Sequence, residues 1–204
     1  GVPLAAGRSP WRVKNLEPRS LPAALVAALA LATAAPTYAG IASGALAIAF
    51  GVGLRTWAAG HLEKRERLAC TGPYAHHRHP LYAGTLAVSL GFAAMIGGPV
   101  AAVALVATSA WFAASYFPRK ERSESASLEA IFGGAYTTYR ACVPALVPAR
   151  AAYVPPIEVA RDVDLSTGWA ARRYLANDGH GTLLGIAAGV AIVAWRAHAV
   201  LATS

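Results

Sequence analysis

Between Leu21 and Leu54, and again between Leu81 and Pro118, the chain carries no charged residue. A helix crosses the hydrocarbon core of a bilayer in roughly 20 residues. Each stretch is therefore too long for one crossing and suits two short ones. Each also holds a breaker near its middle, Pro36-Thr37-Tyr38-Ala39-Gly40 in the first and Gly97-Gly98-Pro99 in the second. Gly and Pro interrupt helices, one through backbone freedom and the other through a missing donor. The pattern predicts two helical hairpins, about 21–36 with 39–58 and about 81–96 with 99–117. A signal peptide fits the first stretch poorly, because the apolar run continues past any cleavage site. Another apolar segment runs from Gly181 to the C-terminus, interrupted by Arg196 and His198. It can form a fifth span if Arg196 snorkels toward an interface; otherwise it is a surface or re-entrant helix.

Composition agrees with a membrane protein. Only 14% of the 204 residues are charged and 56% are hydrophobic, whereas a soluble domain carries about 25% charged residues. The same richness in apolar residues excludes disorder. The 18 Lys+Arg outnumber the 10 Asp+Glu, giving a net charge of +8. They form no single arm or patch, so nucleic acid is not expected as a partner. They lie before the first hairpin, between the hairpins and after the second; the two hairpin turns carry none. Positive loops stay in the cytoplasm, which places every long polar segment on that side. Cys70 and Cys142 then face reducing conditions, and no disulfide is expected. The expected fold is all-α: a multi-pass transmembrane helix bundle of two hairpins, with interfacial helices and the fifth span. Residues 1–20 are set apart as an N-terminal segment that could be interfacial; the absence of an initiating Met allows a trimmed start. Residues 21–148 form the membrane core, and 149–204 a C-terminal loop, an interfacial helix and the last apolar segment.

Chemistry has to sit in the polar segments, His61 to Tyr82 and Arg119 to Pro148. His76, His77 and His79 invite a metal reading, but three His within four residues cannot all reach one ion on a regular backbone. The cysteines lack zinc-site spacing, and Gly51-Val52-Gly53 lacks the third Gly of a dinucleotide fingerprint. Gly72-Pro73-Tyr74 reads as a tight turn. Arg78-His79-Pro80-Leu81-Tyr82 puts a cation, an imidazole, a proline and a phenol where the third membrane helix begins, with Pro80 suited to a first turn. Glu121 and Glu124 precede Leu128, Phe132, Tyr136 and Tyr139, whose spacing of three and four predicts an amphipathic helix against the bundle. Gly133-Gly134 can interrupt it. Trp169, Arg172, Arg173 and Tyr174 read as an interfacial helix with aromatic and basic residues at headgroup level. An interfacial belt accounts for any one of these tyrosines or arginines, though not for the constellation.

The run Gly72-Pro73-Tyr74 with Arg78-His79-Pro80-Leu81-Tyr82 resembles the first signature of the isoprenylcysteine carboxyl methyltransferase family. Glu124, Leu128, Phe132-Gly133, Tyr136, Tyr139, Val143-Pro144 and Pro148 resemble its second. Arg55-Thr56-Trp57-Ala58-Ala59-Gly60 is similar to the helix end before the first. The likeness covers about residues 51–148. It departs at Ser125, where the family has a second acid, and the related phospholipid N-methyltransferases share the architecture. The resemblance implies a membrane enzyme that binds S-adenosylmethionine at its cytoplasmic face, through Tyr74, Arg78, His79, Pro80, Tyr82, Glu124 and Tyr136. Glu124 and Arg140 are the catalytic candidates, with Arg140 steering the head of a lipophilic acceptor that enters from the membrane lipids. The residue types agree: the cofactor carries a carboxylate, an ammonium, hydroxyls and an adenine, and Arg78, His79, Tyr82 and Glu124 complement them. A carboxylate acceptor needs no base, whereas an amine calls for one such as His79 or Glu124. Carboxyl O-methylation of an isoprenoid is the first expectation, a phospholipid N-methyltransferase the second, and an inactive lipid-binding scaffold the third. A transporter fits less well, since no charge sits mid-helix.

Overall fold

The computed structural model describes residues 21–64, 66–162, 165 and 168–202. The proposed N-terminal segment, 1–20, lies outside them. Among the described residues the chain is helical, without a strand. The helices are α1 (Leu21–Ala32), α2 (Tyr38–His61), α3 (Pro80–Ile96), α4 (Gly98–Trp111), α5 (Phe117–Cys142), α6 (Ile157–Asp162), α7 (Ala171–Ala176) and α8 (Gly179–Leu201). A short 3-10 turn, Gly72–Ala75, precedes α3. Three helical segments are long and apolar enough to cross a membrane: Tyr38–His61, Gly98–Cys142 and Gly179–Leu201; Pro80–Ile96 is a shorter apolar helix.

The breakers act where the sequence places them. Thr37 caps α2, its hydroxyl accepting from the Gly40 amide at 3.0 Å. Gly97 (φ 64°) and Gly98 (φ 79°) turn the chain between α3 and α4, in the left-handed region that suits glycine. The two turns meet, for the Ala35 amide donates to the Ile96 carbonyl at 3.1 Å. α2 and α3 make the most intimate pair. A Cβ on Gly44 would lie 2.5 Å from the Gly91 carbonyl, and one on Gly51 would lie 2.6 Å from that of Gly84. Small residues let helix backbones approach in this way. α1 packs on α4, and α8 on α2 and α3.

Three features differ from the expectation. The helical run that α4 begins does not end near residue 117, where the uncharged stretch stops. It continues through a π turn, Phe112–Tyr116, into α5 as one run from Gly98 to Cys142. Pro118 follows that turn. A proline cannot donate to the fourth residue back and its ring crowds that carbonyl, and a widened turn relieves both. Secondly, the Trp169–Tyr174 segment, read from the sequence as an interfacial helix, also caps α2. Arg173 is 6% exposed, and its Nε donates to the Gly60 carbonyl at 2.8 Å. Trp169 Nε1 donates to Thr56 at 3.1 Å, and Asn177 Nδ2 donates to Ala59 and Leu62 at 3.0 and 2.8 Å. The carbonyls of Ala59, Gly60 and the C-cap residue Leu62 are among those a helix end leaves unpaired. Thirdly, Arg196 does not simply snorkel: it donates to Leu31 and Ala32, at 3.0 and 3.2 Å, and so caps α1.

Two apolar cores result. Ile48, Met95 and Val193 centre the one among the membrane helices. The other gathers Leu68, Cys70, Phe132, Ala135, Tyr136, Tyr139 and Val143, with Leu128 packed against it. The three-and-four stripe of α5 is therefore the buried face of that helix, but its partner is the segment before the 3-10 turn. Gly133 (φ 51°, ψ −130°) kinks α5 within the stripe.

Candidate functional site

The first turn of α3 meets the first turns of α5. Pro80, at the start of α3, is buried and needs no backbone partner there. The preceding residues are held by the chain beyond α5: the amides of Arg78 and His79 donate to Pro144 and Ala145 at 2.9 and 3.1 Å. Arg78 is fixed from three sides. Its Nε donates to the Val143 carbonyl at 3.0 Å, and one terminal nitrogen donates to the Tyr136 hydroxyl at 3.2 Å and pairs with Glu121 at 2.5 Å. His79 Nε2 bonds the other Glu121 oxygen. His79 Nδ1 lies 3.5 Å from Glu124, and the Tyr82 hydroxyl donates to Glu124 at 2.5 Å. Phe117 and Tyr116 set their ring edges against His79 and Tyr82.

The two carboxylates differ in setting. Glu121 is mostly buried, at 14% side-chain exposure, and Glu124 is open at 39%. Burial alone would raise the Glu121 carboxyl, but the charges and hydrogen bonds of His79 and Arg78 outweigh it and hold the group below its ordinary value. Glu121 is spent on the network, while Glu124 keeps an exposed edge.

Of the residues singled out in the sequence, Arg78, His79, Pro80, Tyr82, Glu124 and Tyr136 come together. Tyr74 is buried beneath them and contributes its carbonyl, which accepts from the Tyr139 hydroxyl at 2.6 Å. Burial is also what raises the Tyr74 phenol. Arg140 does not join: its side chain is exposed, and no hydrogen bond or ion pair ties it to the cluster. Its neighbour Tyr139 takes the inward face of the helix.

Two members carried too weak a signal. Glu121 lies outside the second signature, yet it is the centre of the network; one turn before Ser125, it shares that face of α5. Ser125, the departure from the family pattern, is 1% exposed and bonds the Tyr136 hydroxyl at 2.8 Å and Glu121 at 3.3 Å. Nearby, His77 is 3% exposed and both ring nitrogens are buried without a partner. Burial, then His76 and His79, push its imidazole below the ordinary value. Buried polar atoms are rarely left unpaired, so His77 marks a place for a further polar group. No protein-family model, curated protein or solved structure matches this chain.

Proposed function

We propose that this chain is an integral membrane methyltransferase that uses S-adenosylmethionine on a lipophilic acceptor. The carrying observation is the joining of two distant segments, Arg78–Tyr82 and Glu121–Tyr136, by one network of charged and phenolic groups. These are the segments whose residues resemble the two family signatures. The membrane arrangement that goes with this reading has both hairpin turns outside, the network at the cytoplasmic ends of α3 and α5, and α8 as a fifth span.

The residue types fit the cofactor. The exposed edge of Glu124 suits an ammonium. Arg78 and His79 supply cationic and imidazole donors, the orphaned His77 nitrogens await a polar partner, and Tyr82, Tyr116 and Phe117 supply aromatic walls. When bound, the cofactor supplies a sulfonium-activated methyl group. The protein's own part is alignment and exclusion of water, which carry much of the catalysis in a displacement of this kind. Arg78 is positioned by Val143, Tyr136 and Glu121, and Glu124 by Tyr82 and His79, so little reorganisation is needed. Where the family has a second acid this chain has Ser125, and the second carboxylate of the cluster, Glu121, is engaged by Arg78 and His79. A carboxylate acceptor, such as an isoprenoid acid, needs no proton removed, and this remains the first choice. A phospholipid amine is the alternative, with Glu124 as proton acceptor.

Cofactor titration by calorimetry in detergent tests the reading. The wild-type protein should bind, and Glu124→Ala and His79→Ala should lose binding while keeping their helical spectrum. Labelled cofactor with a membrane lipid extract should then place label in the organic phase. Silence in the titration of folded wild-type protein makes the chain a scaffold, and label in water-soluble products alone rules out a lipid acceptor.

A further inference from the structure

A shallow, solvent-open cleft, with about 50 Å³ of room for water-sized groups, lies between α2, α3, α7 and α8, away from the network. Leu81 lines it, whereas Tyr82, the next residue, faces Glu124. Val52, Leu183 and Ile186 give it an apolar side, and Thr56, Asn177 and Thr182 a polar one. Its charged lining is Arg55 and Lys64. Arg55 donates through one terminal nitrogen to the Leu81 carbonyl at 3.1 Å and to Thr85. Its Nε is buried and has no partner. Neither Arg55 nor Lys64 pairs with a carboxylate among the described residues. Other cations nearby have a carboxylate in reach: Arg78 has Glu121, and Arg67, Arg172 and Arg173 share Glu63. Two uncompensated cations, one with a buried donor to spare, therefore line a cleft with one apolar side near the end of a membrane-length helix.

We propose that this cleft holds the phosphate of an anionic lipid, with Arg55 and Lys64 on the phosphate and an acyl chain against Val52, Leu183 and Ile186. A guanidinium matches phosphate geometry and is readily desolvated, and basic side chains at the membrane surface attract anionic headgroups. The lipid is a resident ligand and not the methyl acceptor, so the inference stands apart from methyl transfer.

The test uses the full chain, delipidated in detergent and incubated with equal amounts of phosphatidylglycerol and phosphatidylcholine, with retained lipid read by native mass spectrometry. The wild type should keep phosphatidylglycerol in clear preference, and each lost cation should cut that preference about fivefold. Arg55→Gln also gives up a bond to α3, so the exposed Lys64→Gln is the variant that leaves packing alone. Thr182→Phe fills the cleft without changing charge and should exclude the lipid. Equal retention of both lipids by the wild type, or undiminished phosphatidylglycerol on Lys64→Gln and Thr182→Phe, overturns the proposal. sn-Glycerol 3-phosphate separates the sources. Weak competition supports a lipid, and competition at the lipid's own affinity shows a soluble phosphate site instead.

Discussion

Glu121 shows how one side chain can hold a site together without standing out in the sequence. Its two oxygens serve Arg78, His79 and Ser125 at once. Replacing it by Gln leaves the Arg78 charge mostly buried and unmatched, a loss of the kind that strongly destabilises. With partial exposure the expected cost is about 2 kcal/mol, or a fall of roughly 5 °C in Tm. The pH dependence follows from the lowered carboxyl. A group held below its ordinary value of 4.5 contributes stability above that pH and loses it as pH falls through the folded value. Thermal scans carried from pH 7 to well below the ordinary carboxyl value of 4.5 should therefore show the wild type converging on Glu121→Gln only at the acid end. A gap that stays constant would mean that the carboxylate charge is not what stabilises. The sequence exposed Arg78, His79, Tyr82 and Glu124 because their types and spacing are distinctive. It named Glu121 beside Glu124 but not its role, which depends on which face of α5 meets α3, and Arg140 lies outside the network because its neighbour Tyr139 takes the inward position.

At the scale of helices, the breakers and the apolar runs located α1 to α4 closely, since a turn needs particular residues and a bilayer needs a particular length. What the runs could not reveal was continuity: the π turn before Pro118 lets one helix pass from α4 into α5. The docking of residues 168–177 was also hidden, because an arginine that caps a helix looks like an arginine at an interface. Pairing of α2 with α3 rests on glycine backbones, and two glycines of one helix test it. Gly44→Ala would put a Cβ 2.5 Å from both the Gly91 carbonyl and Met95 Cγ, whereas Gly53→Ala meets nothing within 4 Å. Both changes gain about 1 kcal/mol of helix propensity, but only the first overpacks, at about 1–3 kcal/mol. Thermal unfolding in detergent should rank Gly53→Ala at or above the wild type and Gly44→Ala below it. Equal behaviour of the two would mean that α2 and α3 are not in backbone contact.

Across the whole molecule, the proposed orientation rests on the charge pattern, and the contacts say which helix ends lie together. α8 leaves α7 beside the end of α2 and finishes near the end of α1, where Arg196 binds Leu31 and Ala32. In a background with Cys142→Ser, a cysteine at Glu66 should react with an impermeant reagent from the cytoplasmic side only. Cysteines at Gly98 and Ala202 should react from the other side only. Reaction of Gly98 and Glu66 from one side would remove the two-hairpin topology, and Ala202 reacting with Glu66 would remove the fifth span alone.

The two capping arginines also bear on how the chain is made. The end of α1 is closed by Arg196, and that of α2 by Arg173 and Asn177. α1 and α2 thus leave the ribosome with end carbonyls that wait until Arg173 and then Arg196 have been synthesised. A nascent chain halted after Ala145 holds every residue of the network but neither closure, so the early helices wait on later residues. The order of synthesis and the order of completion run in opposite directions.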